Sequence, residues 1–582
     1  MALEKVNSPE DLKKLSREEL IVLAQDIRDA MLHRVSNKGG HVGPDFGAVE
    51  LIIALHKVFN SPVDKFVFDV SHQCYPHKII TGRKFGFLDL DRYSEVSGYT
   101  NQDESEHDFF KIGHTSTSVS LATGLAKARD LRGVKENIIA IIGDGSLSGG
   151  EAFEGLNVAS ELNTNMIIIA NDNDMSIAEN HGGLYKNLRE LRESNGQAQN
   201  NYFKSLGLDY IYVDKGNDLE ALIEVFEKVK DVDHPIVVHV HTQKGKGLPY
   251  AEKDKETWHY GMPFDPETGE KRNSYSGGLS NDTAEFLMDK MEKDSTVAVV
   301  TSGTPTVLGF TRDRREKFAK QFIDVGIAEE QAVAMISGMA KNGGKPIYGV
   351  FSTFIQRTYD QLSQDLAINN NPATILIFGG GLGGMSDVTH LCWFDISLVS
   401  NIPNIVFLAP TSKEEYFAML DWSIEYKGHP VAIRVPSQLS EDTGNVQKDF
   451  SDLNKYLVTE KGKDVAILGL GNFYKLGKEI KELLKENGID ATLINPRYAS
   501  GLDETLLNEL KAEHKLVVTL EDGVIDGGFG EKIARFYGTS DMKVLNYGIK
   551  KEFTDRVAPD VAFKNNRLTK EQIVEDILKI VK

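Results

Sequence analysis

The stretch from Ile138 to Ile177 constrains the possible folds more than any other part of this chain. It contains two apolar segments, 138–142 and 166–170, and both are rich in isoleucine. Such runs are typical of strands that are buried on both faces of a parallel sheet. Between them, apolar residues recur at helical spacing at Phe153, Leu156, Ala159 and Leu162. The stretch therefore predicts a strand, a helix and a second strand, the repeating unit of an α/β fold.

Both predicted strands end in a polar turn. Gly143-Asp144-Gly145 follows the first strand, and Asn171-Asp172-Asn173 follows the second. Because parallel strands end at the same edge of a sheet, we expect Asp144 and Asn173 to lie close together. A carboxylate, an amide oxygen and nearby backbone carbonyls suit a hard divalent cation that holds a diphosphate. The glycines of the turn would let backbone N–H groups approach phosphate oxygens, whereas the alternative is an ordinary polar turn.

Composition limits the classes of protein and partner. A chain of 582 residues exceeds what one hydrophobic core serves, so about two to four domains are expected. A net charge of -20 argues against nucleic acid or an anionic membrane surface as a partner. The two cysteines are too few for a disulfide framework. With no signal-peptide pattern and no apolar run approaching ~18 residues, we predict a cytoplasmic protein without a membrane span.

The sequence around the two turns resembles that of a known family. GDGSLSGGEAFEGLN at 143–157 and NDNDMSI at 171–177 resemble the thiamine diphosphate motif of transketolase-like enzymes, and most closely that of the 1-deoxy-D-xylulose-5-phosphate synthase family. The resemblance implies thiamine diphosphate and Mg²⁺ as cofactors. It implies that Asp144, Asn173 and the carbonyl of Met175 hold Mg²⁺, and that the cofactor is contacted by Asn173, Gly145, Ser146 and Ile177.

Histidine-containing segments extend the resemblance through the first part of the chain. His41 lies in a glycine-rich loop, where the backbone can come close to a ligand. His72 follows an apolar strand, and His114 lies in a GHTS segment whose N–H groups could face an anion at the start of a helix. The resemblance implies that His41 lies in the substrate cavity, His72 at the diphosphate and His114 near the thiazolium ring. It also implies substrate or cofactor contact and proton transfer for Lys253 and His259.

Glu329 is the most informative residue in the second part of the chain, where it opens a predicted helix. Thiamine chemistry needs a carboxyl group hydrogen-bonded to N1′ of the aminopyrimidine, and a shielded carboxyl group has the raised pKa that keeps it protonated. The resemblance to the family's IAEQH segment assigns this role to Glu329, whereas the alternative is a first-turn glutamate stabilised by the helix dipole. By the same resemblance Phe354 stacks on the aminopyrimidine, Arg357 faces the acceptor, and His390 joins His41 and His259 in proton transfer.

The sequence departs from the family on the side of the acceptor. Gly379 and Ser437 stand where the family has arginines that clamp the phosphate of glyceraldehyde 3-phosphate. Glycine and serine cannot replace the charge of a guanidinium group. Phe351 replaces a tyrosine, Gln331 a histidine, and the family's ADGxTH reads MSDVTH at 385–390. The cofactor chemistry is expected to be intact, while the identity of the aldehyde stays open.

The segment 178–206 is polar and poorly periodic, so we predict a mobile flap or lid there. The proline-, glycine- and polar-rich segment 262–282 predicts a connection between domains. Alternating strands and helices then predict three α/β domains with mainly parallel sheets, at 1–265, 280–440 and 458–582. By resemblance these are a transketolase-like diphosphate- and Mg-binding domain, a pyrimidine-binding domain and a transketolase C-terminal-like domain, assembled as a homodimer.

The resemblance covers about Leu32 to Phe536 and implies an enzyme of isoprenoid biosynthesis. It would decarboxylate pyruvate and add the two-carbon unit to an aldehyde such as glyceraldehyde 3-phosphate. Three alternatives stay open: a transketolase that splits a ketose, a pyruvate-dependent carboligase with another aldehyde acceptor, and a non-catalytic paralogue. Release of carbon dioxide from pyruvate, a screen of aldehydes and cofactor binding by calorimetry separate them.

Overall fold

The computed structural model describes residues 1–272, 278–444 and 446–582. The chain divides into two compact units, Met1–Ser276 with Gly326–Ala328, and Gly277–Val325 with Glu329–Lys582. The connection predicted at 262–282 lies partly outside the described residues, because 273–277 are not among them. The division into three domains stays a prediction.

The first unit contains a parallel sheet of five strands in the order β2-β3-β4-β6-β5. Its strands are β2 Lys65–Phe68, β3 Ile138–Gly143, β4 Met166–Asp172, β5 Asp209–Val213 and β6 Pro235–His241. A two-stranded antiparallel ribbon joins β1 Gly40–His41 to β7 Tyr260–Gly261. The predicted strand–helix–strand unit is confirmed, because β3 and β4 are neighbours and a helix, Gly150–Ala159, lies between them in sequence.

The helices of the first unit cover the two faces of its sheet. They are α1 Pro9–Lys13, α2 Arg17–Lys38, α3 Gly43–Gly47, α4 Val49–Val58, α5 Tyr75–Lys78, α6 Phe85–Leu88, α7 Ser118–Arg132, α8 Gly150–Ala159, α9 Gly183–Glu193, α10 Tyr202–Ser205, α11 Leu219–Val229 and α12 Pro249–Lys253.

Alternate residues of the central strands face different cores. Ile139 and Ile141 of β3 pack in one apolar cluster with residues of the N-terminal helices. Ile138 and Ile142 pack in another cluster, together with apolar residues of α7 and α8. The continuous isoleucine run therefore reflects burial on both faces of the sheet, as the pattern predicts.

The segment 178–206 differs from its description as poorly periodic, because it contains helices α9 and α10. Tyr185, Leu188 and Leu191 recur every three residues along α9, and all three side chains are buried in the core. The many polar residues between them hide this stripe in the sequence. The segment is thus a packed helical element, and its motion stays a prediction.

The second unit contains two sheets. The first is parallel, in the order β12-β13-β11-β10-β8-β9, with β8 Val297–Thr301, β9 Phe322–Asp324, β10 Lys345–Phe351, β11 Thr374–Phe378, β12 Val406–Leu408 and β13 Val431–Arg434. Its helices are α13 Gly278–Lys293, α14 Arg312–Lys317, α15 Glu329–Lys341, α16 Asp395–Val399 and α17 Lys413–Glu425.

The second sheet of this unit has the order β14-β16-β15-β17-β18, in which only β14 runs antiparallel. Its strands are β14 Leu457–Glu460, β15 Asp464–Gly469, β16 Thr492–Asn495, β17 His514–Val524 and β18 Lys543–Ile549. Its helices are α18 Tyr474–Glu486, α19 Glu504–Leu510, α20 Phe529–Tyr537, α21 Pro559–Asn565 and α22 Lys570–Val581.

Mainly parallel sheets covered by helices confirm the predicted α/β class. None of the helices in the described ranges has the length and apolar composition of a membrane-spanning segment.

Candidate active site

The ends of β3 and β4 bring Asp144 to the loop that follows β4. Asp144 is 2% exposed. Its Oδ2 accepts hydrogen bonds from the backbone N–H of Met175 at 3.0 Å and from Nδ2 of Asn180 at 2.6 Å. Burial raises the pKa of Asp144, and the negative charge of Asp172 raises it further. A bound cation would stabilise the ionised form of this buried carboxylate.

Asn173 fits the role of a metal ligand. Its Oδ1 is buried and has no hydrogen-bond partner among the described residues. Burying an amide oxygen without a hydrogen-bond partner lowers the stability of the fold. A cation that binds this oxygen would offset the loss. Within the described ranges no group of three or more His, Cys, Asp or Glu side chains could hold a metal. A cation at this edge would therefore rely on a mixed set of carboxylate, amide and backbone oxygens, which suits Mg²⁺.

Close approach of two loops explains Gly145. A Cβ atom there would lie 2.8 Å from Oγ of Ser176 and 3.1 Å from its Cα. Only a residue without a side chain lets the turn after β3 lie against the segment that carries Met175 and Ile177. Ile177 is half-buried and Ser146 is buried.

The loop after β4 is held by cations that sequence reasoning missed. Lys255 donates from Nζ to the carbonyl of Asn173 at 2.9 Å. Arg192 of α9 contacts Oδ2 of Asp172 and Oδ1 of Asp174, both at 2.6 Å. Asp172 also lies 2.9 Å from Nε2 of His239. The segment with the candidate ligands is thus fixed from several sides, by contacts between residues distant in sequence.

The GHTS segment is organised by Asp69, which follows β2. The backbone N–H groups of Ser116 and Ser118 donate to its two carboxylate oxygens at 2.8 and 2.9 Å. Asp69 therefore binds the N–H groups of these two residues, and the expectation that this helix start faces a bound anion stays a prediction for the rest of the segment. The side chain of Ser116 donates to the carbonyl of Ser146 at 2.8 Å. His114 is half-buried at the start of this segment.

Three of the predicted histidines form one cluster. The ring centroid of His41 lies 5.2 Å from that of His72 and 5.9 Å from that of His259, and the rings of His72 and His259 are 5.2 Å apart. The ring centroids of Tyr99 and Tyr260 lie 5.4 and 5.2 Å from that of His41. Because β1 pairs with β7, His41 lies opposite Tyr260 in the ribbon. Residues from separate segments of the chain thus converge here.

Lys244 joins this cluster, although no motif in the sequence suggests a role for it. It follows β6, is 1% exposed, and donates from Nζ to the carbonyl of Ser176. The same Nζ lies 3.2 Å from Nδ1 of His259. Burial lowers the pKa of Lys244 to about 7, against the opposing charge of Asp144. Lys253, the lysine predicted from the resemblance, ends α12 with an exposed side chain.

Glu329 begins α15 in the second unit, and it has the environment that its predicted role requires. The residue is 2% exposed. Its Oε2 is buried without a hydrogen-bond partner in the described part of the chain, and Nη1 of Arg357 lies 3.6 Å away. Burial raises the pKa of Glu329 to about 7, against the charge of Arg357. The carboxyl group is therefore poised to be protonated near neutral pH.

Phe354 and Arg357 belong to the same short 3₁₀ helix, Phe354–Thr358. The ring of Phe354 contacts that of His390 at 5.8 Å and that of Phe351 at 6.0 Å, both edge-on. His390 is buried, and burial lowers its pKa to about 4. The structure therefore brings four predicted residues of this unit into two contacting pairs, Glu329 with Arg357 and Phe354 with His390.

The segment where the sequence departs from the family follows β11. Gly379 has a φ of +71° and Gly381 a φ of +94°. A Cβ atom on Gly381 would overlap with Oδ2 of Asp522, so this backbone accepts only glycine. Arg434, the arginine retained from the family's RYPR, is buried and paired with Asp395 and Asp522. Ser437 is exposed.

Three family models match the chain. They describe 1-deoxy-D-xylulose-5-phosphate synthase at residues 3–201 and 194–242, the pyrimidine binding domain of transketolase at 282–442, and the transketolase C-terminal domain at 454–573. These descriptions agree with the transketolase-like fold implied by the sequence.

Curated relatives match over nearly the whole length. A protein of Clostridium beijerinckii named 1-deoxy-D-xylulose-5-phosphate synthase is 36% identical over 620 residues, with 99% of both chains covered. A protein of the same name from Caldanaerobacter subterraneus is 38% identical over 623 residues, again with 99% of both covered. Among solved structures, a transketolase from Pichia stipitis has a TM-score of 0.44 and 17% identity over 96% of this chain and 97% of its own.

Proposed function

The chain belongs to the 1-deoxy-D-xylulose-5-phosphate synthase family, and from this membership we propose that it forms 1-deoxy-D-xylulose 5-phosphate from pyruvate and glyceraldehyde 3-phosphate. It is a thiamine diphosphate-dependent transferase, and pyruvate loses carbon dioxide before its two remaining carbons join the aldehyde. The full-length match to relatives of this name supports the proposal over a transketolase. An enzyme that forms this product would act in isoprenoid biosynthesis.

The observation that carries the proposal is the environment of Glu329. When bound, thiamine diphosphate supplies the carbon nucleophile of the reaction, and its activation needs a protonated carboxyl group at N1′ of the aminopyrimidine. Glu329 is buried, its Oε2 lacks a hydrogen-bond partner in the described ranges, and its pKa is raised to about 7. A glutamate that only stabilised a helix terminus would gain from being exposed and ionised.

We also propose that Asp144, Asn173 and the carbonyl of Met175 hold Mg²⁺, with Gly145, Ser146, Ile177, His72 and His114 around the diphosphate end of the cofactor. Two observations support this assignment: Oδ1 of Asn173 has no hydrogen-bond partner among the described residues, and the pKa of Asp144 is raised. A bound cation would supply the missing partner and stabilise the ionised carboxylate. Phe354 would contact the aminopyrimidine, and Lys253 would approach from an exposed position.

The histidines provide the groups that bind and orient the substrates in this proposal. His41 and His259 would meet the oxygen atoms of the donor, and His390 with Arg357 those of the acceptor. His259 and His390 are neutral at physiological pH, because burial lowers the pKa of each. Neutral imidazoles both donate and accept hydrogen bonds, so they can hold or move a proton at a carbonyl or hydroxyl oxygen.

One observation favours a second candidate, a carboligase that joins pyruvate to another aldehyde. Gly379 and Ser437 offer no positive charge, and Arg434 is paired with two carboxylates. A phosphate would then be bound by other cations or be absent from the acceptor. We propose a cytoplasmic homodimer in either case.

The purified, cofactor-loaded protein tests both candidates. Carbon dioxide release and the mass of the product are measured with pyruvate and either glyceraldehyde 3-phosphate or unphosphorylated glyceraldehyde. Formation of 1-deoxy-D-xylulose 5-phosphate at a higher kcat/KM than any unphosphorylated product supports the proposed function. A preference for the unphosphorylated aldehyde favours the carboligase, and turnover of ketoses without carbon dioxide release contradicts both.

A further inference from the structure

Lys244 is buried in an unusual setting. Its two hydrogen-bond partners in the described structure are the carbonyl of Ser176 and Nδ1 of His259, and neither is a carboxylate. Lysine is almost never fully buried unless it is paired, because desolvation of its charge is costly. An apolar side chain of similar length would fill the same space without this cost. The position of Lys244 therefore has a cost in stability that packing does not explain.

The loop beside Lys244 leaves room for the alkyl chain of this lysine because it contains glycines. A Cβ atom on Gly43 would lie 2.9 Å from Cε of Lys244, and one on Gly47 would lie 3.2 Å from its Cα. The backbone N–H of Gly245 donates to the carbonyl of Gly43 at 2.9 Å. The glycines that follow His41 thus leave space for Lys244, and they let the two loops pack against each other.

We propose that Lys244 is a positioning residue that keeps His259 neutral with its proton on Nε2, so that His259 serves the substrate as an N–H donor. This inference rests on the proposed function, in which His259 meets an oxygen atom of the donor substrate.

The number of N–H groups on the lysine amine favours this tautomer of His259. A charged lysine has three N–H groups and no lone pair, so Nδ1 of His259 must accept from it. Even after losing a proton, the amine keeps two N–H groups, enough for its two acceptors, Ser176 and His259. In a neutral imidazole that accepts at Nδ1, the proton lies on Nε2.

The charges around His259 also favour its neutral form. Burial lowers its pKa well below the usual value, and Lys244, His72 and His41 lower it further. The groups that act on Lys244 are Asp144, Lys255 and Glu256. A carboxylate partner favours a protonated ring, whereas a lysine partner opposes it.

A neutral imidazole with a fixed N–H group suits an oxygen atom on which negative charge develops. Such a donor stabilises the charge without transferring its proton, and it needs no reorganisation when the charge appears. His259 would then act as an electrophile toward the donor carbonyl, and a proton-accepting role would fall to other groups.

The test is the tautomer of His259 in the full-length, cofactor-loaded protein. Histidine labelled with ¹⁵N distinguishes the two ring nitrogens by chemical shift, and His259→Gln identifies the signals. Between pH 6 and 9 we expect an unprotonated Nδ1 and a protonated Nε2. A wild-type ring that carries its proton on Nδ1, or two protons at pH 7, overturns the inference.

Two variants separate positioning from packing. Lys244→Met should allow His259 to take up a proton at higher pH, and kcat should fall about 10- to 100-fold with a smaller change in KM. Lys244→Arg keeps an obligate donor and should preserve the tautomer and part of kcat. Unchanged His259 signals in folded Lys244→Met would contradict the inference. If Lys244→Met fails to fold, the wild-type and Lys244→Arg spectra decide, and they do so even if the proposed reaction is not found.

Discussion

Glu329 is a buried carboxyl group with a raised pKa, so it lowers the free energy of unfolding as pH rises. Below a pH of about 4.5 it is protonated in both the folded and the unfolded chain. Between there and the native pKa of about 7 only the unfolded chain loses the proton, so the free energy of unfolding falls as pH rises. Above that range the cost is constant.

We therefore expect Glu329→Gln to be more stable than the wild type at pH 8 and equal to it near pH 4. The gain should reach about 3 kcal/mol, since each pKa unit is worth ~1.4 kcal/mol. Thermal unfolding of the cofactor-free protein at the two pH values measures it. Activity should fall about 10²-fold or more, because glutamine cannot supply the acid. The neighbouring Glu330→Gln, half-buried in the same helix, is the matched control, and an equal gain there would contradict the explanation.

The amide oxygen of Asn173 leads to a prediction about ligand binding. Asn173→Ala removes a buried polar atom that has no hydrogen-bond partner among the described residues. The cofactor-free protein should therefore lose little stability, while the affinity for thiamine diphosphate with Mg²⁺ should fall about 10- to 100-fold. Titration calorimetry with and without Mg²⁺ measures this change. Asn157→Ala, on an exposed face of α8, is the control, and undiminished Mg²⁺-dependent binding by Asn173→Ala would remove Asn173 from the proposed site.

At the scale of elements, the strands could be predicted from the sequence better than α9. The isoleucine runs of β3 and β4 are unambiguous because both faces of each strand are buried. Helix α9 buries only one narrow stripe, so its polar residues dominate the local composition. The convergence of the turns after β3 and β4, where Asp144 accepts a hydrogen bond from Met175, could be predicted because parallel strands end at one edge. The contact of Arg192 with Asp172 depends on how a helix packs.

Arg192 anchors α9 to the loop after β4, so its removal should loosen both elements. Arg192→Met leaves Asp172, which is 1% exposed, without its cation. We expect a loss of about 3 kcal/mol in the free energy of unfolding, because a buried charge without its partner is costly. Hydrogen exchange should become faster at 173–193. Arg189→Met, on the exposed face of the same helix, should change neither quantity, and equal exchange in both variants would show that the ion pair does not hold the helix.

At the scale of the whole molecule, local patterns predicted the parallel sheets but not the ion pairs that cross between segments. The glycines after β11 could only be read as a departure from the family. In the structure Gly381 lies against Asp522, so these glycines make room for a buried cluster around Arg434. No spacing in the sequence reveals such a cluster, because its members lie on β13, α16 and β17.

This cluster connects the two sheets of the second unit. Arg434 of β13 donates from Nε to Asp395 at 2.7 Å, and it also pairs with Asp522 of β17. Arg434→Met would leave two buried carboxylates unpaired, so the free energy of unfolding should fall by about 3 to 5 kcal/mol.

A triple variant shows whether charge or packing causes this loss. Combining Arg434→Met with Asp395→Asn and Asp522→Asn removes all three charges, and it should recover part of the lost stability. Thermal unfolding at pH 7 compares the single and triple variants. If both variants lose the same stability, the arginine acts through its packing, and the two sheets are held together by apolar contacts. If the triple variant is more stable than the single variant, the buried charges connect them.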